Sequence, residues 1–326
     1  MMNFLKQLIK RTPGVVNFYH KVIYPKFVFS HRYIRNKKMI EESPNNFIRF
    51  IYKRYTGNEI NLDNPKSFNE KLQWLKLNYY DNLASKCADK YEVRDYVKQK
   101  GLEDLLNELI SVYKNPEDID FTILPNQFVL KASHGSGMNI IVKDKSKIKT
   151  KQVIKELKKW VSINYAYMSG EWVYRDIEPK ILCEKYISDS NGELNDYKIF
   201  CFNGKAHYIQ VDVDRFTNHR RNIYTTEWKL LDMSIGYPND SSLTIVKPKN
   251  LSKLLEYAER LAEPFVHARV DFYNLDDDIV FGELTFFHGG GFEKFTPDKY
   301  GVLFGDKMDI AKISKNEVWS DKVYLS

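Results

Sequence analysis

The sequence predicts an α+β protein with a mostly helical N-terminal region. Through roughly the first hundred positions, apolar residues recur at helical spacing between recognisable helix caps. Two pairs of apolar strands follow, each pair joined by a short polar turn, with helical segments before and between them. Strand pairs covered by helices, without strict alternation of strand and helix, are typical of the α+β class.

Length and composition indicate a folded protein with room for about two domains. The chain has 326 residues, of which 43% are hydrophobic and 29% are charged. It contains no apolar run long enough to span a bilayer and no signal-peptide pattern, so we expect a cytoplasmic protein. Cys87, Cys183 and Cys201 lack metal-site spacing and cannot all pair, so we expect free thiols and no structural zinc.

The positive charge is concentrated at the start of the chain. Residues 1–40 contain nine basic residues and no acidic one. Because the formal net charge of the whole chain is +7, the rest of the chain has a net charge of −2. The first segment, MMNFLKQLIKRTPG, has the pattern of a basic amphipathic helix. Two interpretations stay open: peripheral contact with the inner face of the plasma membrane, or a helical arm packed on the body. No nucleic-acid-binding motif accompanies the charge, so we expect no nucleic-acid partner.

Helix caps mark the first predicted elements. Ser43 as N-cap with Pro44 in the first turn begins one helix, and Gly57 closes it. Ser67 and Glu70 have the spacing of a capping box, so the next helix should begin at residue 67.

Later segments predict two hairpins and the helices that cover them. Asn203-Gly204, between DYKIFCF and KAHYIQVDV, is the strongest hairpin signal. VHARVDFYN and IVFGELTFF form the second hairpin around a polar turn. The other predicted elements are a helix over 89–99 closed by Gly101, a strand–loop–strand unit in QFVLKASHGSGMNIIVKD, a helix over 150–163, a strand at 181–183 and a helix over 250–263.

The second hairpin predicts a pair of facing carboxylates. If its turn centres on Asp277, Asp271 lies opposite Glu283. In the same register Arg269 lies opposite Thr285, on the same face, because side chains alternate along a strand. Like charges placed opposite each other are destabilising unless a cation lies between them, and a divalent metal would be such a cation. The alternatives are a solvated acidic edge strand or a pair satisfied by Arg269 alone.

Three glycine-rich or acidic motifs could carry chemistry. Lys131 is followed at once by Ala-Ser-His-Gly-Ser-Gly, a loop whose N–H groups could hold phosphate, although such glycines are often ordinary turn residues. His288 with three glycines is similar to an esterase oxyanion loop but lacks a nucleophile elbow. Asp212 and Asp214 form a DxD, a motif of low specificity that resembles the metal site of many glycosyltransferases.

Several long segments match those of one known group of proteins, both in their amino-acid sequences and in their order along the chain. They are SFNEKLQWLKL, ADKYEVRDYV, LPNQFVLKASHGSGMNIIVKD, IEPKILCEKYI, DYKIFCFNGK, ARVDFYN and FGELTFFHGGGF, spanning about residues 65–295. In this order they resemble the ATP-grasp superfamily, closest to its teichuronopeptide-biosynthesis-type branch of bacterial polysaccharide loci. The resemblance implies an ATP-grasp fold, in which two α+β subdomains clasp ATP.

The implied organisation has four parts. They are a basic helical arm (1–60), a mostly helical subdomain (61–125), subdomain A with the phosphate loop (126–187) and subdomain B with the metal site (188–326).

Carried over position by position, the resemblance implies a complete ATP site. The implied contacts to ATP are Lys90, Lys131, the loop residues His134, Gly135, Ser136 and Gly137, the hinge residues Glu184 and Tyr186, and Asp196 at the ribose. The implied Mg²⁺ ligands are Asp271, Glu283 and Thr285, the last standing where the superfamily often has Asn. The implied catalytic residues are Lys198, which faces the terminal phosphate, and Arg269, which stabilises the acyl-phosphate step.

The implied activity is ATP-dependent ligation of a carboxylate to an amine. The expected partners are a carboxylate-bearing sugar or glycan, with a uronic acid favoured, and an amine or amino acid. Arg215 and Arg220 are candidates for holding the carboxylate, with plain solubility as the alternative, and His288 with Gly289 could bound the amine side. Two other functions stay open: a glycosyltransferase built on the DxD motif, and a phosphotransferase with the same phosphate apparatus.

Overall fold

The protein is built around two antiparallel sheets with helices packed against them, which confirms the α+β class. The computed structural model describes residues 29–188, 195–213, 219–243, 245–275, 278–311, 313–316 and 318–319. The predicted basic amphipathic helix at the start of the chain lies outside these residues, as do Asp214 and Arg215.

The secondary structure elements are numbered here in chain order. The helices are α1 (Phe29–Glu42), α2 (Pro44–Thr56), α3 (Phe68–Asn78), α4 (Asn82–Ala88), α5 (Val93–Gln99), α6 (Thr150–Val161), α7 (Ala166–Ser169), α8 (Leu251–Ala262) and α9 (Lys299–Asp306). The strands are β1 (Leu109–Tyr113), β2 (Phe128–Ala132), β3 (Asn139–Val142), β4 (Ile181–Lys185), β5 (Asn195–Phe202), β6 (Lys205–Val213), β7 (Arg220–Thr225), β8 (Ser234–Ile235), β9 (His267–Leu275), β10 (Asp278–Thr285) and β11 (Phe295–Thr296).

The caps predicted for α2 and α3 are confirmed. The Ser43 side chain accepts a hydrogen bond from the N–H of Asn46, and Gly57 ends α2 in the left-handed region at φ 80°. Ser67 and Glu70 make both hydrogen bonds of the capping box, so α3 begins one residue after the cap.

The helix predicted over 89–99 is shorter than expected. It begins at Val93, because the Asp89 carboxylate accepts hydrogen bonds from two backbone N–H groups and holds a turn at residues 89–92 instead. The helices predicted over 150–163 and 250–263 both form, with ends within two residues of the predicted ones.

The smaller sheet has the strand order β1-β4-β2-β3. Strands β2, β3 and β4 confirm the strand–loop–strand unit and the strand predicted at 181–183. Strand β1 was not predicted, and it comes from the 61–125 region that was expected to be mostly helical. The predicted boundary at 125/126 therefore separates β1 from the sheet in which it pairs with β4.

The larger sheet has the order β10-β9-β5-β6-β7 and contains both predicted hairpins. Asn203 and Gly204 join β5 to β6 with φ values of 49° and 75°, the positive values that a two-residue hairpin turn requires. The predicted first hairpin is therefore confirmed.

In the second hairpin, Glu283 pairs with Asp271 and Thr285 pairs with Arg269, as predicted. The turn that produces this register differs from the prediction. Next to the turn, Asp278 pairs with Leu275, which is one residue out of step with a turn centred on Asp277. A bulge at Gly282, between Phe281 and Glu283, shifts the register by one residue and restores the predicted pairs.

The N-terminal helices share one hydrophobic core with the larger sheet. Phe68, at the start of α3, is fully buried and makes edge-to-face contacts with Phe200, Phe202, Phe295 and Phe304. A second, smaller core lies under α6 and the smaller sheet. The helical region is therefore packed on the sheet that carries the predicted metal site.

Candidate active site

One face of the larger sheet brings together the predicted catalytic and metal-binding residues. Three adjacent strands contribute them, because residues two apart on a strand share a face. They are Glu283 and Thr285 on β10, Arg269 and Asp271 on β9, and Asp196 and Lys198 on β5.

Arg269 and Asp271 form a buried, bidentate ion pair. The Arg269 Nε donates to Asp271 Oδ1 at 2.7 Å, and Nη2 donates to Oδ2 at 2.6 Å and to Thr285 Oγ1 at 3.1 Å. Lys198 Nζ lies 3.8 Å from Asp271 Oδ2 and also contacts Asp196. Burial raises the pKa of Asp271 to about 6, although both cations oppose the shift.

Lys90 connects strand β10 to the glycine-rich loop that follows β2. Its ammonium lies 3.2 Å from Glu283 Oε2 and donates to the carbonyl oxygen of Gly135 at 2.7 Å. Burial favours the neutral acid, but Lys90 and Arg269 outweigh it and lower the pKa of Glu283 to about 2. Glu283 is therefore a carboxylate at neutral pH.

Gly135 leaves space that a side chain would fill. A Cβ at this position would lie 2.3 Å from Met138 Cε and 2.7 Å from the ring of Tyr165. Tyr165 immediately precedes α7, and its ring is the part of the side chain that approaches Gly135. Gly137 has φ 73°, a conformation that glycine adopts at no steric cost. The loop is thus packed against Tyr165 on one side.

The imidazole of His134 lies inside the protein. A loop side chain that closes over phosphate would be expected to point into the cleft instead. His134 is 1% exposed, and its Nε2 lies 3.0 Å from the carbonyl oxygen of Trp160. Burial lowers its pKa. Only the backbone of this residue is left to contact a nucleotide.

Lys131 and Glu184 face each other in the cleft between the two sheets. Lys131 Nζ donates to Glu184 Oε2 at 2.6 Å, and Arg94 Nη1 lies 3.9 Å from Glu184 Oε1. The same cleft is lined by Lys90 and Gly282, so it reaches the β9–β10 hairpin. Residues of both sheets therefore line one cleft, as a nucleotide bound between them would require. Tyr186 follows β4, and Lys143 Nζ lies 5.7 Å from the centre of its ring.

The donor atoms of the hairpin suit a magnesium ion. Asp271, Glu283 and Thr285 offer only oxygen atoms, the ligands that Mg²⁺ prefers. Among the described residues, no group of three or more His, Cys, Asp or Glu side chains is arranged to hold a metal. Mg²⁺ commonly takes one or two carboxylates and completes its shell with water and substrate phosphate, and two facing carboxylates fit that pattern.

Asp212 of the DxD motif belongs to a network of hydrogen bonds that the sequence did not predict. Its carboxylate accepts from Gln210 Nε2 at 2.9 Å and from Arg221 Nε at 2.7 Å, and His219 Nε2 lies at 3.1 Å. Arg221 lowers the pKa of Asp212 despite its burial. The carboxylate is thus fully engaged, while Asp214 lies outside the described residues.

Strand β7 was not predicted. Neighbouring residues of a strand point to opposite faces, so without that strand the sequence did not show which of Arg220 and Arg221 is buried. Arg221 pairs with Asp212 in the register of β6 and β7. Arg220 is half-buried, with its Nε 3.7 Å from Asp240 Oδ2. Of the two predicted carboxylate-binding arginines, only Arg220 lies within the described residues.

Of the two residues predicted to bound the amine side, His288 and Gly289, only the backbone of Gly289 remains a candidate for contact with a substrate. His288 is buried, with its Nδ1 hydrogen-bonded to Arg269 and its Nε2 2.8 Å from Glu293 Oε2 but outside hydrogen-bond geometry. Its burial excludes direct contact of the ring with a substrate in this arrangement. Gly289 begins a run of three glycines with positive φ. Its backbone is the remaining candidate on that side.

The described part of the basic arm packs on the body. In α1, Asn36 Nδ2 donates to the carbonyl oxygen of Met168 at 3.0 Å, and the Tyr33 hydroxyl accepts from the N–H of Asn164 at 3.2 Å. Within the residues that the structure describes, no helix is both long and apolar enough to cross a bilayer.

Known structures resemble this fold at low sequence identity. D-alanine–D-alanine ligase from Bacillus anthracis, complexed with ATP, is 16% identical over 61% of this chain and 53% of its own, with a TM-score of 0.36. N5-carboxyaminoimidazole ribonucleotide synthetase, complexed with ADP, is 15% identical over 67% of this chain and 50% of its own, with a TM-score of 0.40. D-alanine–D-alanine ligase from Helicobacter pylori is 15% identical over 74% and 68%, with a TM-score of 0.39. The chain spans about half the length of the first two proteins.

The family assignment rests on the sequence match and not on these partial likenesses. No curated protein matches the chain. The model of one family, described as TupA-like ATPgrasp, matches residues 70–309, which is most of the sequence. The chain therefore belongs to the TupA-like ATPgrasp family, which confirms the resemblance and the ATP-grasp fold predicted from its sequence.

Proposed function

We propose that this protein is an ATP-dependent carboxylate–amine ligase that works through an acyl phosphate. Its acceptor is a sugar carboxylate, a uronic acid of a bacterial capsule or cell-surface polysaccharide, and its second substrate is an amine or amino acid. The family supplies the ATP-grasp ligase-type fold. The chemistry of the site supports phosphoryl transfer, and the sugar acceptor is proposed from the branch that the sequence resembles.

The observation that carries the proposal is the meeting of cations and carboxylates beside a glycine loop. Arg269 and Lys198 converge on Asp271, and Lys90 joins Glu283 to Gly135. Phosphoryl transfer needs this combination, because its catalysis is mostly positioning and neutralisation of charge on the phosphate oxygens.

In the proposed reaction, a carboxylate oxygen of the acceptor attacks the γ-phosphorus of ATP, and the bond to the bridging oxygen of ADP breaks. The amine nitrogen then attacks the acyl carbon, inorganic phosphate leaves and the nitrogen loses a proton, so that an amide forms. Lys131 and Lys90 contribute charge toward the phosphates, and Lys198 toward the transferring group. Arg269 stabilises the negative charge that develops on the carbonyl oxygen when the amine attacks the acyl carbon.

When bound, Mg²⁺ would neutralise charge on the β- and γ-phosphates, and Asp271, Glu283 and Thr285 are the residues that would hold it. The loop from His134 to Gly137 would exclude water, which otherwise hydrolyses an acyl phosphate. We propose Arg220, which is half-buried beside Asp240, as the residue that attracts the acceptor carboxylate.

The basic segment 1–40 would keep the enzyme near glycan assembly at the inner face of the membrane. Its nine basic and no acidic residues favour an anionic surface. A truncated chain that lacks residues 1–28 and binds phosphatidylglycerol vesicles as well as the full chain does would remove this part of the proposal.

Hydroxylamine provides a test that does not require the natural amine. It attacks an acyl phosphate to give a hydroxamate, which forms a coloured complex with iron(III). We expect hydroxamate and ADP in equal amounts when the enzyme is incubated with ATP, Mg²⁺, hydroxylamine and either D-glucuronate or D-galacturonate. ADP without hydroxamate, together with a stable phosphorylated sugar, would identify a phosphotransferase instead.

A further inference from the structure

His288 lies between a cation and a carboxylate, and its hydrogen bond with the cation fixes where its proton lies. Its Nδ1 is hydrogen-bonded to Arg269 Nη1, and its Nε2 lies 2.8 Å from Glu293 Oε2. A guanidinium can only donate, so Nδ1 must be the acceptor. The proton of the neutral ring is therefore on Nε2, the nitrogen nearer the Glu293 carboxylate, although these two groups are not aligned as a hydrogen bond.

The surroundings keep this ring neutral and out of reach of substrates. His288 is 2% exposed and packs edge-to-face on Phe200, with ring centroids 5.0 Å apart. Burial lowers its pKa to about 4, although Glu293 opposes the shift. A protonated ring would direct an N–H group at the N–H groups of Arg269, which would break the contact.

Glu293 is itself held by Arg221 and lies against Gly289. Its Oε2 accepts from Arg221 Nη1 at 2.8 Å, and Arg221 also donates to Asp212 and to the carbonyl oxygen of Ile235. A Cβ at Gly289 would lie 2.5 Å from Glu293 Cγ, so the glycine leaves the space that this side chain occupies.

We propose that Glu293 and His288 are positioning residues for Arg269, a role that rests on the proposed function of Arg269 in the acyl-phosphate step. Asp271 holds the Nε edge of the guanidinium, and His288 holds Nη1. With both sides fixed, the direction of the second N–H group of Nη1 is set before substrate binds, and such preorganisation is what makes a donor effective in catalysis.

Two substitutions of His288 separate this role from simple packing. His288→Asn places an amide oxygen near the former Nδ1 and preserves an acceptor for Arg269. In His288→Gln the longer side chain reaches toward Glu293 and leaves Arg269 Nη1 without a hydrogen-bond acceptor. His207→Gln, on β6 away from this network, is the matched control.

The first readout needs no substrate. In ¹⁵N-histidine spectra of the full chain, the His288 signals, assigned by their loss in His288→Asn, should show the proton on Nε2 and no titration between pH 8 and 6. The Arg269 Nε–H signal should move in His288→Gln and stay close to its wild-type position in His288→Asn. A proton on Nδ1, titration near pH 6.5, or an Arg269 signal unaffected by either change would overturn the proposal.

The second readout is hydroxamate formation with D-glucuronate or D-galacturonate. Loss of one hydrogen bond to a charged group should lower kcat by about tenfold in His288→Gln, with KM for ATP nearly unchanged. His288→Asn should recover most of that loss. Equal kcat values for the two variants would contradict the positioning role. If the wild-type protein forms no hydroxamate, the ligase assignment fails, and the spectra still decide whether His288 positions Arg269.

Discussion

Glu283 lies opposite Asp271 because Gly282, one residue earlier, bulges out of the β9–β10 ladder. Without the bulge the pairing next to the turn would continue, and Gly282 would face Asp271 while Glu283 pointed to the other side of the sheet. Gly282 also comes close to its partner strand, since a Cβ there would lie 3.0 Å from the carbonyl oxygen of Asp271. The facing carboxylates thus depend on a residue without a side chain.

We expect Gly282→Ala to lower the free energy of unfolding by about 1–2 kcal/mol, because the partner strand must move to admit the methyl group. The stabilisation by Mg-ATP should shrink as well, since the same movement displaces Asp271. Urea denaturation with and without Mg-ATP measures both effects. Gly301→Ala is the control, because the nearest atom to its Cβ would be 3.6 Å away. Identical behaviour of the two variants would show that the close approach at Gly282 is unimportant.

Asp271→Asn should abolish the rise in melting temperature produced by Mg-ATP and lower hydroxamate formation by at least about a hundredfold. The change keeps the size of the side chain but removes the charge that Arg269 and a magnesium ion share. Asp278→Asn, at the exposed turn of the same hairpin, is the matched control and should behave like wild type. An Asp271→Asn protein that retains its ATP-dependent rate would refute the metal-site assignment.

Gly135→Ala should weaken ATP binding while leaving the protein folded. Its methyl group would collide with Met138 and Tyr165, so the loop must leave its position near Lys90. Gly57→Ala is the control for loss of a glycine, because it sits at a helix end with no atom within 4 Å of its Cβ, and should cost only about 1 kcal/mol of stability. Isothermal titration with Mg-ATP compares the two, and equal affinities would argue against a role for the loop in holding phosphate.

The protein should lose stability as the pH falls below about 6.5, the ordinary histidine pKa. Burial lowers the pKa of His267 to about 3, so the unfolded chain takes up a proton at this residue that the folded protein refuses. Each such histidine lowers the free energy of unfolding by about 1.4 kcal/mol for each pH unit below 6.5 and leaves it unchanged above that pH. His267→Asn should flatten the slope of unfolding free energy between pH 6.5 and 4.5, measured by urea denaturation. An unchanged slope would mean that other groups are responsible.

Asp212→Asn tests the glycosyltransferase alternative. Because Asp212 is buried and pairs with Arg221, the change should cost about 3–5 kcal/mol of stability. The wild-type protein should show no thermal shift with UDP-glucose and Mn²⁺. A shift with that nucleotide sugar that disappears in Asp212→Asn would support the DxD motif as a metal site and count against the ligase.

The sequence by itself determined the features that depend on neighbouring residues. The caps of α2 and α3, the Asn203-Gly204 turn and the sharing of a face by Arg269 and Asp271 all follow from chemistry within a few positions. Such features form wherever the segment is placed, because their hydrogen bonds and backbone angles are local. The order of the long segments was enough to indicate the family.

Only the tertiary structure decided which distant residues meet. Lys90 contacts Glu283, nearly two hundred positions away, and Glu293 contacts Arg221, 72 positions earlier in the chain. Strand β1 pairs with β4 although its sequence region otherwise forms helices. These contacts depend on how helices and sheets share a core, so no local pattern reveals them. The same is true of the bulge at Gly282, because the register of a strand is set by the partner it must pair with.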